Sequence, residues 1–191
     1  MFNVESLPDI HWHFDFDGTL FFTHEALLNA YGESIRKYGG ILTTAANEAL
    51  IRGESYKTFL KLCSWDKAEP DFEVVRTHKN EIYLSNMELI EPNFSLIYAA
   101  LSLNSNTSIV TSSSREVVQA ILKHFNLNEY FHNIVASDDV INIKPNPEPY
   151  LKSISKYPNA IHIAVEDSEL GVISASRAGL LVLKVSEFSI A

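Results

Sequence analysis

The chain is short of cysteine, of positive charge and of long apolar runs, and each shortage closes off a class of protein. One cysteine, Cys63, stands among 191 residues. No internal disulfide forms, no cysteine-based zinc cluster assembles, and the expected role of Cys63 is that of a small buried hydrophobe. Lysine and arginine total 15 against 24 aspartates and glutamates, for a formal net charge of −9. A field of that sign repels nucleic acid and phosphate esters alike, so no nucleic-acid partner is expected, and any phosphate affinity has to come from local groups and a metal. No apolar run is long enough to cross a bilayer, and Met1 to Pro8 holds no basic region followed by an apolar stretch. Neither a membrane partner nor a secretory leader is expected, and the cytoplasm is the expected location. Repeats and low-complexity tracts are missing as well. The length suits one compact core with a modest insertion, and the acidic surface favours a monomer.

What is present begins with strand-like runs at Ile10 to Phe16, Ser108 to Thr111, Asn133 to Ser137, Ile161 to Val165 and Leu180 to Val185, separated by helical patterns. Arg115 to Phe125 sets Val118, Ile121, Leu122 and Phe125 on one face, with Ser114 placed to cap it. Tyr150 to Lys156 opens after Pro149, and Leu170 to Ala178 carries Gly171, Ala175 and Ala178 before Gly179 ends it. Alternating strands and helices predict an α/β fold: a Rossmann-like parallel sheet flanked by helices, with ligands held at the carboxyl ends of the strands. From Phe21 to about Pro92 the texture is helical throughout, with Ala26 to Tyr38, Thr44 to Leu50, Ser55 to Leu62 and Asp71 to Leu89 as the expected helices and no strand among them. The simplest organisation is a core of residues 1–20 and 93–191 with an α-helical cap, residues 21–92, inserted after the first strand.

Four segments carry candidate chemistry. Asp15-Phe16-Asp17-Gly18-Thr19-Leu20 ends the first strand, delivering two carboxylates two residues apart before a glycine turn, a pocket suited to a divalent cation and a phosphoryl group. By itself the segment also suits an Asp-Gly turn between two strands. Ser108 to Arg115 ends a strand in hydroxyls and opens a helix, so the Thr111 hydroxyl and backbone N–H groups near Ser112 are placed to cradle an anion; a serine-rich helix cap reads the same way. Lys144 precedes the rigid run Pro145-Asn146-Pro147-Glu148-Pro149, which fixes its ammonium, although most lysines are simply solvated. Glu166 and Asp167 end an apolar strand ahead of a helix rich in small residues, where acidic capping is the plainer alternative.

In their order and spacing these motifs, DFDGTL, IVTSSS, IKPNPEPY and VEDSELGVISASRAG, resemble the haloacid dehalogenase superfamily, in the branch with a helical cap after the first motif. Either Thr111 or Ser112 answers to the family's second-motif hydroxyl, and Thr111 is preferred. The resemblance implies a magnesium-dependent phosphatase acting on a small phosphorylated metabolite. It implies Asp15 as the nucleophile that forms an aspartyl-phosphate, and Asp17 as the acid that protonates the leaving oxygen and later activates water. It implies phosphate contacts from Thr111, Ser112 and Lys144, and magnesium held by Asp15, the Asp17 backbone carbonyl and Asp167, with Glu166 ligating directly, through water, or pairing with Lys144. A cation is needed there, because two unit charges about 4 Å apart interact by roughly 4 kcal/mol at an effective dielectric near 20.

Asp17 separates this chain from relatives that cleave carbon–halogen or phosphonate bonds, which resemble it but lack an acid at that position. A phosphomutase of the beta-phosphoglucomutase type remains an alternative, weakened because its basic cap positions fall on Leu27 and Tyr56, with His24, Arg52 and Lys57 nearby. A catalytically idle binding or regulatory relative is a further alternative, opposed by the intact set of acids. His11 and His13 alternate onto the face of Asp15, where relatives bury aliphatic residues, and core hydrogen bonding is a simpler role for them than ligation. Phe21 and Phe22 are expected to pack rather than to stack on a substrate. The loop Gly53-Glu54-Ser55, near the expected specificity loop, names no ligand.

Overall fold

A computed structural model describes residues 9–52, 54, 56–102, 106–131 and 133–185. Met1 to Pro8, and Gly53 and Ser55 of the expected specificity loop, lie outside the described residues. Strand β1 (Ile10–Phe14) leads through a turn to β2 (Phe21–Phe22), α1 (His24–Lys37), β3 (Gly40–Ile41), α2 (Thr44–Ile51), α3 (Tyr56–Leu62), β4 (Ser64–Trp65) and α4 (Phe72–Ser85). After β5 (Glu91–Pro92) and α5 (Phe94–Ser102) come β6 (Asn106–Val110), α6 (Arg115–His124), β7 (Asn133–Val135), α7 (Glu148–Ile154), β8 (Ile161–Glu166), α8 (Glu169–Arg177) and β9 (Leu181–Lys184). The main sheet is parallel in the order β7-β6-β1-β8-β9. Phe14 pairs with Ile109 on one side and Val165 on the other, so β1 is central and the strand ends on either side of it line up.

Period-2 alternation divides the sheet into two faces. Phe14, Ile109 and Val165 pack with Ile97 and Ala100 of α5 and Val118, Ile121 and Leu122 of α6 in the main apolar cluster. Val110, Val135 and Ala164 turn the other way, onto Tyr150 of α7 and Ala175 of α8. A third cluster joins Tyr31 and Ile35 of α1, Ala46 of α2, Phe59 and Leu60 of α3, Cys63 and Val75 of α4. Cys63 is thus a buried free thiol, its pKa pushed up to about 11 by burial and by Glu69.

Several local expectations are corrected. The stretch from 21 to 92 is not strand-free: β2 pairs antiparallel with β5, and β3 with β4. The first pair sets Phe21 against Pro92 and Phe22 against Glu91, bringing the entry and exit of the helical stretch side by side. Helix α5 was not foreseen, because its run Phe94 to Ser102 is apolar almost throughout and shows no strong periodicity. The helix expected over Asp71 to Leu89 ends at Ser85 and resumes as one 3-10 turn, Met87–Leu89. Ser114 occupies the cap position of α6 without capping it, and its hydroxyl has no partner. The Arg115 N–H donates instead to Asp138 Oδ2 at 2.8 Å, so a carboxylate from the next crossover does the serine's work.

Candidate active site

Asp15, Asp17, Thr111, Lys144 and Asp167 come from four separate segments, and the parallel register brings them to one end of the sheet. The Asp15 N–H donates to the Val165 carbonyl at 2.9 Å, and the Thr111 N–H to the Val135 carbonyl at 2.9 Å, extending the ladder just past the strands. Gly18 then turns the chain at φ 79°, and a Cβ built there would stand 2.1 Å from Asp167 Oδ2. Only glycine lets the turn lie this close to the end of β8. Thr19 Oγ1 donates to Asp167 Oδ1 at 3.1 Å, fixing the carboxylate against that turn.

Lys144 is the centre of charge. Its Nζ donates to Asp15 Oδ1 at 2.6 Å, to Glu166 Oε1 at 2.5 Å and to the Val110 carbonyl at 2.7 Å, using all three ammonium protons. Burial works against the ammonium, but Asp15 and Glu166 outweigh it and hold the lysine pKa above its ordinary value. Tyr150 Oη also donates to Glu166 Oε1, at 2.5 Å, and a Cβ on Gly171 would stand 2.0 Å from Glu166 Oε2. Glu166 is fully buried, wedged between lysine, tyrosine and the first turn of α8.

One ammonium does not neutralise this cluster. Burial and Glu166 push the Asp15 carboxyl well above the usual carboxylate range, against the opposing pull of Lys144. Asp167 is raised to about 6, again by burial and then by Glu166. Oxygens of Asp15, Glu166 and Asp167 lie within 4.8 Å of one another. An all-carboxylate donor set with excess negative charge suits a hard divalent cation such as magnesium, the metal that haloacid dehalogenase-type hydrolases generally use.

Asp17 points to different partners. Its Oδ1 accepts from Tyr83 Oη at 3.1 Å, and its Oδ2 from Ser113 Oγ at 2.6 Å. Tyr83 lies on α4, so the helical stretch touches a carboxylate at the sheet end. The two aspartates of the motif therefore occupy distinct environments: Asp15 beside an ammonium, Asp17 between two hydroxyls. Thr111 is buried, and its Oγ1 accepts from the Ser113 N–H at 2.9 Å; Ser112 is exposed beside it.

A cavity of about 960 Å³ opens over these groups. Asp15, Asp17, Thr111, Ser112, Lys144 and Asp167 line it, and Glu166 stands behind Lys144 rather than in the wall. The opposite wall includes Leu27, Lys57, Arg76 and Lys79, with His24 at the start of α1. Arg52 is not in this wall and pairs with Glu48 and Glu54, each at 3.9 Å. The side chain of Tyr56 lies outside the described residues.

Sequence reasoning assigned no role to Ser113, Tyr83, Tyr150 or Lys79. Tyr150 stood within the lysine motif, and a hydroxyl-bearing aromatic opening a helix after that lysine was a usable signal. Tyr83 was not, because its contact with Asp17 spans 66 residues. Lys79 did carry a signal, as the one charged residue between Val75 and Tyr83 on the buried face of α4.

A parallel sheet whose central strand ends in two aspartates, answered by a buried lysine and an acidic pair from later strands, defines a haloacid dehalogenase-like hydrolase. The chain belongs to that family, whose model matches residues 13–185. It is 31% identical to PpaX of Caldanaerobacter subterraneus subsp. tengcongensis over 170 residues, covering 87% of this chain and 77% of that protein. Against the pyrophosphatase PpaX of Halalkalibacterium halodurans it is 30% identical over 174 residues, covering 87% and 79%. In fold it is similar to CbbY of Rhodobacter sphaeroides, with a TM-score of 0.78, 23% identity and coverage of 95% and 88%. No helix among the described residues is long and apolar enough to cross a membrane.

Proposed function

We propose that this chain is a magnesium-dependent phosphatase that hydrolyses a small phosphorylated metabolite through an aspartyl-phosphate on Asp15. The observation that carries the reading is the convergence of Asp15, Asp17, Thr111, Lys144 and Asp167 on one cavity. Phosphate monoester hydrolysis is among the slowest reactions uncatalysed, so it requires a nucleophile, a proton donor for the leaving oxygen and neutralisation of phosphoryl charge. The cavity wall offers one group for each.

In this reading Asp15 attacks phosphorus in line with the leaving oxygen, so the Asp15–phosphorus bond forms as the ester bond breaks. Asp17 gives its proton to the leaving oxygen and takes one from the water that then cleaves the acyl phosphate. Tyr83 and Ser113 donate to the two oxygens of Asp17 and orient its carboxyl for this exchange. Lys144 offsets charge on Asp15 and the phosphoryl oxygens, while Thr111, with Ser112 at the rim, supplies hydroxyl and backbone donors. Asp15, the Asp17 carbonyl and Asp167 would hold magnesium, with Glu166 acting through Lys144. Magnesium would supply a positive charge that lets phosphate and carboxylate approach.

The cap of residues 21–92 over a core of 1–20 and 93–191 belongs to the same reading, supported by the β2–β5 pairing at its two ends. So do a cytoplasmic location and a monomeric state, in keeping with the net charge of −9. The pyrophosphatase names of the relatives make inorganic pyrophosphate the first substrate to try. The reading is tested by phosphate release from p-nitrophenyl phosphate with and without magnesium, beside Asp15→Asn. Magnesium-dependent release that falls at least about a thousandfold in the variant is expected, and release indifferent to the substitution would remove Asp15 as nucleophile.

A further inference from the structure

Lys144 reaches Asp15, Glu166 and the Val110 carbonyl from a run of chain that is poorly equipped to anchor itself. Pro145, Pro147 and Pro149 carry no N–H, so the groups left to tie the run down are chiefly carbonyls, and each carbonyl needs a donor from elsewhere. Helix α8 supplies two. Ser174 Oγ donates to the Asn146 carbonyl at 2.6 Å, and Arg177 Nη1 to the Pro145 carbonyl at 3.2 Å. Both belong to an i,i+3 row that starts at the cap residue Ser168 and runs through Gly171, Ser174 and Arg177. The first part of that row lies on the buried acid: Ser168 Oγ donates to Glu166 Oε2 at 3.3 Å, the oxygen that a Cβ on Gly171 would strike. Ser174 is fully buried in the middle of α8, where alanine forms helix better. Its one hydroxyl proton goes to a carbonyl 28 positions away in the chain.

We infer that Ser174, backed by Arg177, is a positioning residue for Lys144, through which α8 sets the lysine loop against the acids that end β8. The inference rests on the phosphatase reading and deepens it. Ser174 acts through the Asn146 backbone and touches neither substrate nor metal. On the other side of Lys144 the loop is held by Glu148, whose carboxylate accepts the N–H groups of Ile141 at 2.8 Å and Asn142 at 3.0 Å. Proline stiffness gives the loop a shape, and the donors from α8 give it a place relative to Glu166 and Asp167. With that place fixed, the ammonium stands at Asp15 before substrate arrives and needs no reorganisation as charge develops. Loss of the Ser174 donor frees the loop on one side, and a shift of about 1 Å in a positioned group costs up to about a hundredfold in rate.

The test is hydrolysis of p-nitrophenyl phosphate by the whole chain in excess magnesium, with vanadate and inorganic phosphate as inhibitors. Ser174→Ala is expected to lower kcat by about ten- to a hundredfold. KM and the inhibition constant of phosphate should change by under about twofold, because the ground state keeps its contacts to magnesium, Thr111 and Ser112. Vanadate, which adopts the five-coordinate geometry of transfer, should weaken by the same factor as kcat. Ser176→Ala, the same substitution on the exposed side of α8, should match wild type. Arg177→Ala, at an exposed position, should show the same split at about three- to tenfold, and it carries the test should Ser174→Ala not fold. A lower urea midpoint with kcat and vanadate inhibition unchanged would make Ser174 a packing residue of α8 and overturn the inference. Equal losses for vanadate and phosphate would overturn it too, because they report weaker binding in general and not a misplaced Lys144. Either outcome with an active wild type leaves the phosphatase reading standing, whereas absence of magnesium-dependent hydrolysis by wild type would reject both.

Discussion

Strand β1 carries two buried polar clusters on one face, one at each end, and they accommodate burial in opposite ways. At the carboxyl end Asp15 is crowded by ionisable groups: it meets Lys144, Glu166 and Asp167, and the acids outnumber the ammonium. Toward the amino end His11 and His13, both fully buried, meet only neutral groups. His11 Nε2 pairs with Ser108 Oγ at 2.5 Å, His13 Nδ1 with Ser153 Oγ at 2.9 Å, and His13 Nε2 with His162 Nδ1 at 2.9 Å. Burial pushes the pKa of His11 down to about 4 and that of His13 to about 3, helped by the neighbouring histidines. One end concentrates charge that asks for a cation. The other excludes charge and reads as a hydrogen-bonded support beneath it, in which His11 Nδ1 alone of the His11 and His13 ring nitrogens has no partner.

The contrast breaks most severely at Lys144. Lys144→Met leaves Asp15 and Glu166 buried without their ammonium and is expected to cost about 3–5 kcal/mol of stability, read as a shift in the urea midpoint, along with nearly all activity. A loss under about 1 kcal/mol would show that the acids are held neutral and that the charged end resembles the histidine end.

A pH profile separates the ends by sign. The histidines bind protons more readily in the unfolded chain, so their contribution is complete above about pH 6.5 and is lost as pH falls toward 4. At pH 5, about 1.5 units below the unfolded value, each histidine is expected to withdraw about 2 kcal/mol. Asp167, raised to about 6, works the other way in the metal-free chain, gaining stability as pH falls through 6. Urea midpoints at pH 7 and pH 5 in excess magnesium should therefore expose the histidine slope, and His11→Asn should flatten it by about half. A slope unchanged in His11→Asn would place the acid sensitivity elsewhere.

Tyr150 joins the ends, donating to Glu166 and meeting the His13 ring edge-on at a centroid distance of 6.3 Å. Tyr150→Phe is expected to cost about 1–3 kcal/mol in thermal or urea unfolding, from the hydrogen bond lost to a buried carboxylate. Smallest of the set, Ser113→Ala removes one donor to Asp17 and is expected to reduce kcat by roughly tenfold or less with little change in the urea midpoint.

The charged end was legible in the sequence because its residues sit at strand ends beside punctuation: a glycine turn at Gly18, a proline run after Lys144, small residues after Asp167. Strand positions followed equally well, since alternation and β-branched runs are local signals. What escaped depends on contacts distant in the chain. Whether His11 and His13 are satisfied turns on Ser108, Ser153 and His162, which belong to three other elements, and no spacing announces them. The two-residue strands β2 and β5 are too short for any period to register. Helix α5 was hidden by its uniform apolarity, and the Tyr83–Asp17 bond by the fold of the helical stretch over the sheet.

The most direct measurement is a rapid-mixing experiment with p-nitrophenyl phosphate and magnesium on Asp17→Asn and Asp15→Asn. p-Nitrophenolate leaves readily without a proton, so formation of the acyl phosphate on Asp15 survives the loss of Asp17 while its hydrolysis does not. The expected result is a burst of about one nitrophenolate per site in Asp17→Asn, followed by a stall, with no burst in Asp15→Asn. A burst in Asp15→Asn, or steady turnover at the wild-type rate in Asp17→Asn, would contradict the division of labour between the two aspartates.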